Sequence, residues 1–369
     1  MSIFKDKPVT EREKVEQRRE EILAQGRKFK YPMQYAKHKL VINTIVVAFI
    51  AIILMIVAGW AMLYKTQDTG DMIYRLTQVI PVPVAEVDGE KVRYSDYLMI
   101  YRSNLLAAEQ QGGQLGQGED ADMVRDGYKQ AALDSAVVYS YALKLGREQG
   151  IEVSEEEIDQ AFAEHRKVGG VERSEEAFLK IVSDNFGMNR REYRRMLYLT
   201  LMKSKVSQAV DSHAVDLTAQ VEKMLSENDN NLFAVAEALG AEVEYQETGQ
   251  LVDNMNVDGG RSNKAMTLEV GQVSEKFLSS NGDGYYYVKL IEKTDSQVNY
   301  ASLKINFTAF DAQVIDLYAN GKVKTYITIG GEEATEGNKA IDNGGVVEVE
   351  ETNESNAASE AQAEPVTTE

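Results

Sequence analysis

The sequence predicts an α+β protein with one N-terminal transmembrane helix, an all-helical module and a smaller α+β domain after it. Three observations support this class. Residues 40–64 carry no charged side chain, residues 95–208 place apolar side chains at helical spacing, and residues 242–329 contain several strand-like runs. The chain has 369 residues, which is enough for two or three domains.

The uncharged run at residues 40–64 lies between Lys39 and Lys65. As a helix it would span roughly 37 Å at 1.5 Å per residue, and a hydrocarbon core is about 30 Å thick. Trp60 and Tyr64 lie near one end, where amphipathic rings favour the membrane interface. A cleaved signal peptide is the alternative, but the run is too long and no cleavage site of small residues follows it. We therefore expect an uncleaved anchor.

The distribution of charge predicts the orientation and excludes some partners. The formal charge is −19 for the chain and +5 for residues 1–39, which leaves −24 for the rest. The basic segment predicts a cytoplasmic N-terminus, so the expected protein is a single-pass plasma-membrane protein with most of its chain outside. An acidic outer part argues against nucleic acid as a partner. With no cysteine and three histidines, we expect no metal site and no cofactor.

Two segments flank the predicted anchor. Residues 1–39 are interpreted as a solvated cytoplasmic flank, with a short helix as the alternative. Residues 65–83 are expected to form a linker, because the prolines of "IPVPV" favour extended backbone.

The region after the linker has the pattern of a hairpin followed by helices. Residues 84–94 place a tight turn at Asp88-Gly89 between two short apolar strands. A helix is expected from Ser95, and the glycine-rich residues 109–122 are expected to form a loop. Further helices are expected over residues 121–149 and after Ser154, Ser174 and Asn189, where Ser154 with Glu157 and Asn189 with Glu192 form capping boxes.

The pattern changes near Asp211, and residues 209–330 are assigned to a second domain of α+β type. Residues 331–369 hold 11 acidic residues and one lysine, and we expect them to be a disordered tail. The elements expected in the second domain are helices at 214–227, 231–239 and 309–320 and strands at 242–246, 284–292, 298–307 and 322–329.

The order of these elements resembles the SurA, PpiD and PrsA type of extracytoplasmic chaperone. The hairpin "VAEVDGEKVRYSDY", the helix running into "LGREQGIEVSEEEID" and the helix "NRREYRRMLYLTLMKSKV" are similar to successive stretches of its N-terminal domain. The resemblance covers residues 84–208. It implies a helical module that holds unfolded segments of other proteins, and the N-terminal anchor resembles the architecture of PpiD.

Residues 209–330 resemble a degenerate parvulin-like (PpiC-type) domain, the prolyl isomerase domain that usually follows in this family. The stretches "FAVAEALGAEV", "AMTLEVGQVSEKF" and "DGYYYVKLIEK" carry the similarity. Parvulins surround an X-Pro bond with two histidines, a Cys or Asp, and Met and Phe walls. Here Tyr286 stands at the closing-strand histidine position. Only His213 is a candidate for the first histidine, and a solvated residue before a helix is its alternative interpretation.

The resemblance also implies a binding surface on the helices. Met is flexible and polarizable, and Tyr has an apolar body with a polar tip, so both suit a surface that accepts many sequences. Apolar residues at helical spacing are also typical of a helix core. The prediction therefore concerns the surface as a whole and no individual residue. The candidate peptide-binding residues are Tyr97, Leu98, Tyr101, Tyr128, Tyr141, Met196, Tyr198, Leu199 and Met202.

The expected function is that of a membrane-anchored chaperone or foldase without prolyl isomerase catalysis. Its expected partners are unfolded or translocating polypeptides, the membrane through residues 40–64, and the secretion machinery. Two alternatives stay open: an active peptidyl-prolyl isomerase, and a bitopic scaffold protein with one fixed partner.

Overall fold

The computed structural model describes residues 10–110, 119–168, 171–253 and 258–330, without the side chains of 26–38, 119–120, 168 and 171. Most of the loop predicted at 109–122 and the whole tail predicted at 331–369 therefore lie outside the described residues. The described residues form two compact units, which divide between Asp68 and Thr69.

The first unit consists of one long helix, α1 (Glu11–Tyr64), of 54 residues. It begins at a capping box in which Glu13 accepts a hydrogen bond from the backbone N–H of Thr10 at 3.0 Å. The helix that the sequence offered as the alternative for residues 1–39 is therefore present from Glu11 onward, and the side chains of residues 10–25 are exposed. Within the described residues, Lys39–Tyr64 is long and apolar enough to cross a membrane, with a mean hydropathy of 3.1 over its best window.

The second unit begins with a short helix, α2 (Asp71–Val79), where the sequence predicted only a linker. The correction has a simple cause. The prolines of "IPVPV" follow the helix and end it, while Ile73 and Tyr74 are apolar enough to be buried against the rest of the unit. Only the last part of the predicted linker has extended backbone.

The helical module continues with the predicted hairpin, whose strands are β1 (Pro83–Val87) and β2 (Glu90–Arg93). Asp88 and Gly89 have φ values of 45° and 84°, which a two-residue turn of the primed type requires. The other elements are α3 (Tyr94–Gln110), α4 (Glu119–Gln149), α5 (Glu155–His165), β3 (Lys167–Val168), β4 (Val171–Glu172), α6 (Glu175–Phe186) and α7 (Arg190–Val210).

Both predicted capping boxes of the module are confirmed. The Ser154 hydroxyl accepts the backbone N–H of Glu157 at 3.2 Å, and the Glu157 carboxylate accepts the backbone N–H of Ser154 at 2.8 Å. Asn189 and Glu192 make the same reciprocal pair at the start of α7. Each pair satisfies backbone donors that a helix start leaves free, so the local sequence alone sets these boundaries.

An aromatic cluster joins α5, α6 and α7. The rings of Phe162, Phe178 and Tyr193 meet edge to face at centroid distances of 5.4–5.9 Å. His165 borders this cluster, with its Nδ1 atom 2.6 Å from the Tyr193 hydroxyl oxygen. Burial lowers the pKa of His165 against the smaller opposing effect of Glu164. Burial also raises the pKa of Tyr193 to about 12, so that its hydroxyl keeps its proton.

We expect this cluster to make the protein sensitive to acid. Because the folded-state pKa of His165 lies below its unfolded value of 6.5, the unfolded chain binds the proton first. The free energy of unfolding should therefore fall as pH drops below about 6.5 and level off below the lowered pKa. Thermal unfolding of the full chain in detergent micelles, with and without His165→Gln, measures this, and the variant should lose that part of the pH dependence.

His213→Gln is the matched control for this experiment. A hydrogen bond to Glu242 raises the pKa of His213, so any stability it contributes is present at low pH and lost as pH rises. The two substitutions should therefore change the pH profile in opposite directions. An unchanged acid slope in His165→Gln would contradict the prediction.

The second region follows α7 and contains helices and an antiparallel sheet. Its strands lie in the order β5–β9–β8–β7, and β6 also pairs with β9. The sheet thus confirms an α+β region after the helical one. The elements are α8 (Ser212–Glu227), α9 (Leu232–Leu239), β5 (Glu244–Glu247), β6 (Val252–Asp253), α10 (Arg261–Met266), β7 (Phe277–Leu278), β8 (Gly284–Lys293) and β9 (Gln297–Asn306).

This sheet has an apolar core on each face, as the alternation of side chains along a strand requires. One core lies under α8 and α9 and contains Leu217, Tyr287 and Leu303. The other includes Ala265 of α10 together with Leu290. Side chains of β8 therefore alternate between the two cores.

The last described elements return to the helical module. They are α11 (Ala309–Ala319) and β10 (Val323–Thr325), and β10 pairs antiparallel with β1 from Ala85↔Thr325 to Val87↔Val323. The boundary predicted at 209–330 grouped these residues with the second region. That grouping needs correction, because β10 completes the three-stranded sheet β10–β1–β2.

Asp211 follows α7, where the chain leaves the helical module, and it also contacts the start of α11, where the chain returns to the module. Its Oδ1 atom accepts the backbone N–H of Ala214 at 2.9 Å in the first turn of α8. Its Oδ2 atom accepts the backbone N–H groups of Thr308 and Ala309 at 2.7 and 3.0 Å at the start of α11. One buried carboxylate thus caps two helices that are far apart in the chain.

Candidate functional site

A groove with a volume of about 450 Å³ lies beside the C-terminal end of α4, the segment that follows it, and α7. We call it the α4–α7 groove. Volumes of this size are typical of sites that bind small ligands or a few side chains. Its lining residues are Leu143, Gly146, Arg147, Gly150, Ile151, Glu152, Val153, Tyr198 and Met202.

Gly146 sets how closely the two walls of the groove approach. A Cβ atom on this residue would lie 2.5 Å from the Met202 sulfur. Any side chain at position 146 would therefore push the thioether aside. Glycine inside a helix costs about 1 kcal/mol relative to alanine, and the close approach of Met202 gives a reason for it here.

The lining of the groove combines apolar residues with the charged Arg147 and Glu152, and further charged side chains lie next to it. The guanidinium of Arg195 lies 5.3 Å from the centre of the Tyr198 ring. Arg195 is held there by two hydrogen bonds to the Asp96 carboxylate, at 2.7 and 3.2 Å. Arg147 forms an ion pair with Glu90 at 2.5 Å. These pairs hold both cationic side chains in place, with Arg147 in the lining itself and Arg195 beside the Tyr198 ring.

The structure brings two of the nine predicted binding residues into this groove. Tyr198 is half-buried and Met202 is 4% exposed, so the ring forms an accessible wall and the thioether lies deeper. Tyr128 and Met196 are half-buried elsewhere on the helices. Their role in peptide binding stays a prediction.

The other predicted binding residues are packed inside the module. The Tyr97 ring meets the rings of Tyr94 and Tyr101 at 5.5 and 6.4 Å. Tyr141 stacks on Phe310 of α11. In this conformation such side chains could meet a peptide only if the helices separated. The five buried positions outside the groove are Tyr97, Leu98, Tyr101, Tyr141 and Leu199.

Sequence reasoning missed most of the groove wall. Leu143, Ile151 and Val153 belong to the helix end and the following extended segment, which the sequence predicts only as a helix stop. The available signal was Gly146, a glycine inside a helix that continues to Gln149. Such a glycine indicates close packing, although the sequence does not identify the neighbour.

His213, the only candidate if the second region were an isomerase, lies on the exposed first turn of α8. Its Nε2 atom is 2.6 Å from a carboxylate oxygen of Glu242, and this hydrogen bond raises the pKa of His213. Tyr286 lies on β8 and stacks on Phe277 at 5.9 Å. Arg261 also lies over the Tyr286 ring, at 5.2 Å.

The fold combines a mostly helical region bearing an apolar groove with a small sheet-containing region. Residues 32–207 match the family model of the SurA-like N-terminal domain. This match supports a SurA-like chaperone family and a chaperone-type periplasmic function. SurA-like domains in general bind unfolded polypeptide substrates. No curated protein matches the chain.

The matched range shows how the family model relates to the elements. It begins inside α1 and ends within α7, so it includes the apolar segment Lys39–Tyr64 and the hairpin. It stops before α11 and β10, which pack on the same module. The candidate span and the SurA-like domain are together consistent with a bitopic protein that faces out of the cytoplasm.

Proposed function

We propose that this protein is a membrane-anchored extracytoplasmic holdase that binds unfolded or emerging polypeptides in the α4–α7 groove. The groove carries the proposal, because it exposes apolar wall to solvent between two well-packed helices. Its lining places the apolar side chains of Leu143, Ile151 and Val153 beside the amphipathic Tyr198 and the flexible Met202, residue types that can contact side chains of varied shape. The match of residues 32–207 to a SurA-like domain supports the same class of substrate.

The anchor and its orientation form part of this proposal. Lys39–Tyr64 would span the bilayer, and the basic residues before it would keep the N-terminus in the cytoplasm. The groove would then face the compartment into which secreted chains emerge. Residence in the plasma membrane also makes the secretion machinery a proposed partner.

The second region is proposed to be parvulin-like in shape and without isomerase catalysis. Lowering a rotation barrier of about 18–20 kcal/mol requires several groups placed closely around the bond. His213 is exposed beside Glu242, and the position of the family's closing-strand histidine is occupied by Tyr286. These two placements support a binding role over a catalytic one.

The test measures chaperone activity and isomerase activity on the same sample. The full chain in nanodiscs is added to a denatured test protein, and aggregation is followed by light scattering. A proline-peptide isomerisation assay is run in parallel. Suppressed aggregation without isomerase turnover is the expected result. If isomerase turnover is seen and disappears in His213→Ala, the isomerase replaces the proposal. If neither activity is seen, a scaffold with one fixed partner is favoured.

We expect Tyr198→Ala to weaken binding of an unfolded fluorescent peptide roughly tenfold, or ~1.4 kcal/mol, because the ring is an accessible aromatic wall. Tyr198→Phe keeps the ring and should bind nearly as well as the parent. Ile291→Ala removes an exposed apolar side chain of the second region and is the matched control. Equal losses in Tyr198→Ala and Ile291→Ala would show that the groove is not the site.

A further inference from the structure

The short helix α2 has two apolar faces, and among the residues that the structure describes only one of these faces is covered by protein. Ile73, Tyr74 and Thr77 are buried against the module. On the opposite side Met72 and Val79 are 74% and 81% exposed. A soluble protein usually turns such side chains inward, and an exposed apolar face therefore indicates a partner.

The exposed side chains form one continuous stripe. Met72, Leu76 and Val79 follow at i, i+4 and i+7, so they share one face of the helix. Ile80 extends the stripe by one residue beyond the helix and is 49% exposed. Arg75 is exposed at the edge of the stripe. A cation beside an apolar face can extend to lipid headgroups while its neighbours enter the acyl region.

The helix is held firmly on the module. The Tyr74 hydroxyl donates to the Glu192 carboxylate at 2.8 Å, and the Gln78 side-chain amide donates to the same oxygen at 3.0 Å. Arg102 pairs with Asp71 and lies 5.0 Å from the centre of the Tyr74 ring. The exposed stripe therefore has a fixed direction relative to the module.

The length of the chain limits what can cover the stripe. Six residues lie between Tyr64, the end of the candidate span, and Asp71, the start of α2. Fully extended, this connection reaches about 25 Å at most. A second copy of the chain is a poorer occupant, because a stable dimer needs about 20–30 residues on each side and the stripe offers four.

We propose that the exposed face of α2 lies in the headgroup and acyl boundary of the lipid bilayer and fixes the orientation of the helical module on the membrane surface. This inference rests on the proposed anchor. It adds that the module is held against the membrane by a second contact and does not move freely on a linker.

The test uses the absence of cysteine, which allows single labelling sites in the full chain. Val79→Cys, Ile50→Cys and Val270→Cys are each labelled with an environment-sensitive fluorophore and reconstituted into phosphatidylcholine–phosphatidylglycerol vesicles with or without nitroxide-bearing lipid. Ile50 reports on the candidate span, and Val270 is an exposed apolar residue of the second region. We expect the nitroxide lipid to quench most of the fluorescence at positions 79 and 50 and little at position 270.

The outcomes separate this inference from the proposed function. Quenching at position 50 without quenching at position 79 overturns the lipid contact and leaves the anchor intact. No quenching at position 50 removes the anchor and the inference together. A blue-shifted spectrum at position 79 that nitroxide lipid does not quench means that a protein covers the stripe, which also overturns the lipid contact.

Discussion

Phe310→Ala is expected to lower the free energy of unfolding by about 3–5 kcal/mol, the usual cost of removing a buried phenylalanine ring. Phe310 is 1% exposed and stacks on Tyr141 of α4 at a centroid distance of 5.7 Å. The ring thus forms an aromatic contact between α11 and the helical module. Without it, α11 and the adjoining β10 should detach more often. Denaturant unfolding of the full chain in micelles measures the loss.

Hydrogen exchange gives the local result for this substitution. The amides of Val323–Thr325 should exchange faster in Phe310→Ala, since β10 follows α11 directly. Ile315→Ala is the matched control, because Ile315 lies on the same helix and is 48% exposed. If Phe310→Ala cost no more than Ile315→Ala, α11 would contribute little to the module.

Asp211→Ala is expected to cost about 2–4 kcal/mol, because it removes the caps of two helices at once. The carboxylate accepts one backbone N–H from α8 and two from the start of α11. Alanine leaves these donors without a partner in a buried place. Thermal unfolding of the full chain should show the loss as a lower midpoint temperature.

Asp211→Asn separates the two caps. Asparagine is a good N-cap residue, so its amide oxygen can still accept the Ala214 N–H group. Its amide NH₂ would face the N–H groups of Thr308 and Ala309. Both sides are then hydrogen-bond donors, so no hydrogen bond can form between them. We therefore expect an intermediate loss, with faster amide exchange confined to α11 and β10. Asp216→Ala is the control, because Asp216 is an exposed acid on α8, the helix that Asp211 caps. An equal loss there would contradict the double-cap interpretation.

Much of the fold could be predicted because its signals are local. The capping boxes at Ser154 and Asn189 mark helix starts through residues three positions apart. The Asp88-Gly89 turn carries its own backbone preference. The run at residues 40–64 is recognised as a candidate membrane span from its own length and composition. In each case the physical cause lies within a few residues of the feature.

The errors concern contacts between distant parts of the chain. The sequence predicts the strand at Val323–Thr325 but not its pairing with β1. The composition of a strand does not identify the strand with which it pairs. α2 was missed because nine residues between a span and two prolines carry a weak helical signal, and its burial depends on contacts such as Tyr74 with Glu192.

The candidate site was predicted only in part for a related reason. Tyr198 and Met202 lie in the groove, while Tyr97 and Leu98 have the same residue types and spacing but lie in the core. Helical periodicity identifies an apolar face without showing whether another element covers it. The groove also depends on Gly146, whose close approach to Met202 is a property of two helices together.

The return of α11 and β10 has a consequence for the order in which the protein is made. Thr308 is 97 residues beyond Asp211, so a ribosome adding about 5–20 residues per second completes the module only after the whole second region has emerged. Until then the β1 edge is unpaired and Tyr141 lacks its cover. During its own synthesis the protein thus passes through a state that exposes an apolar surface and an unpaired strand edge. Unfolded chains, which we propose as its substrates, expose the same features.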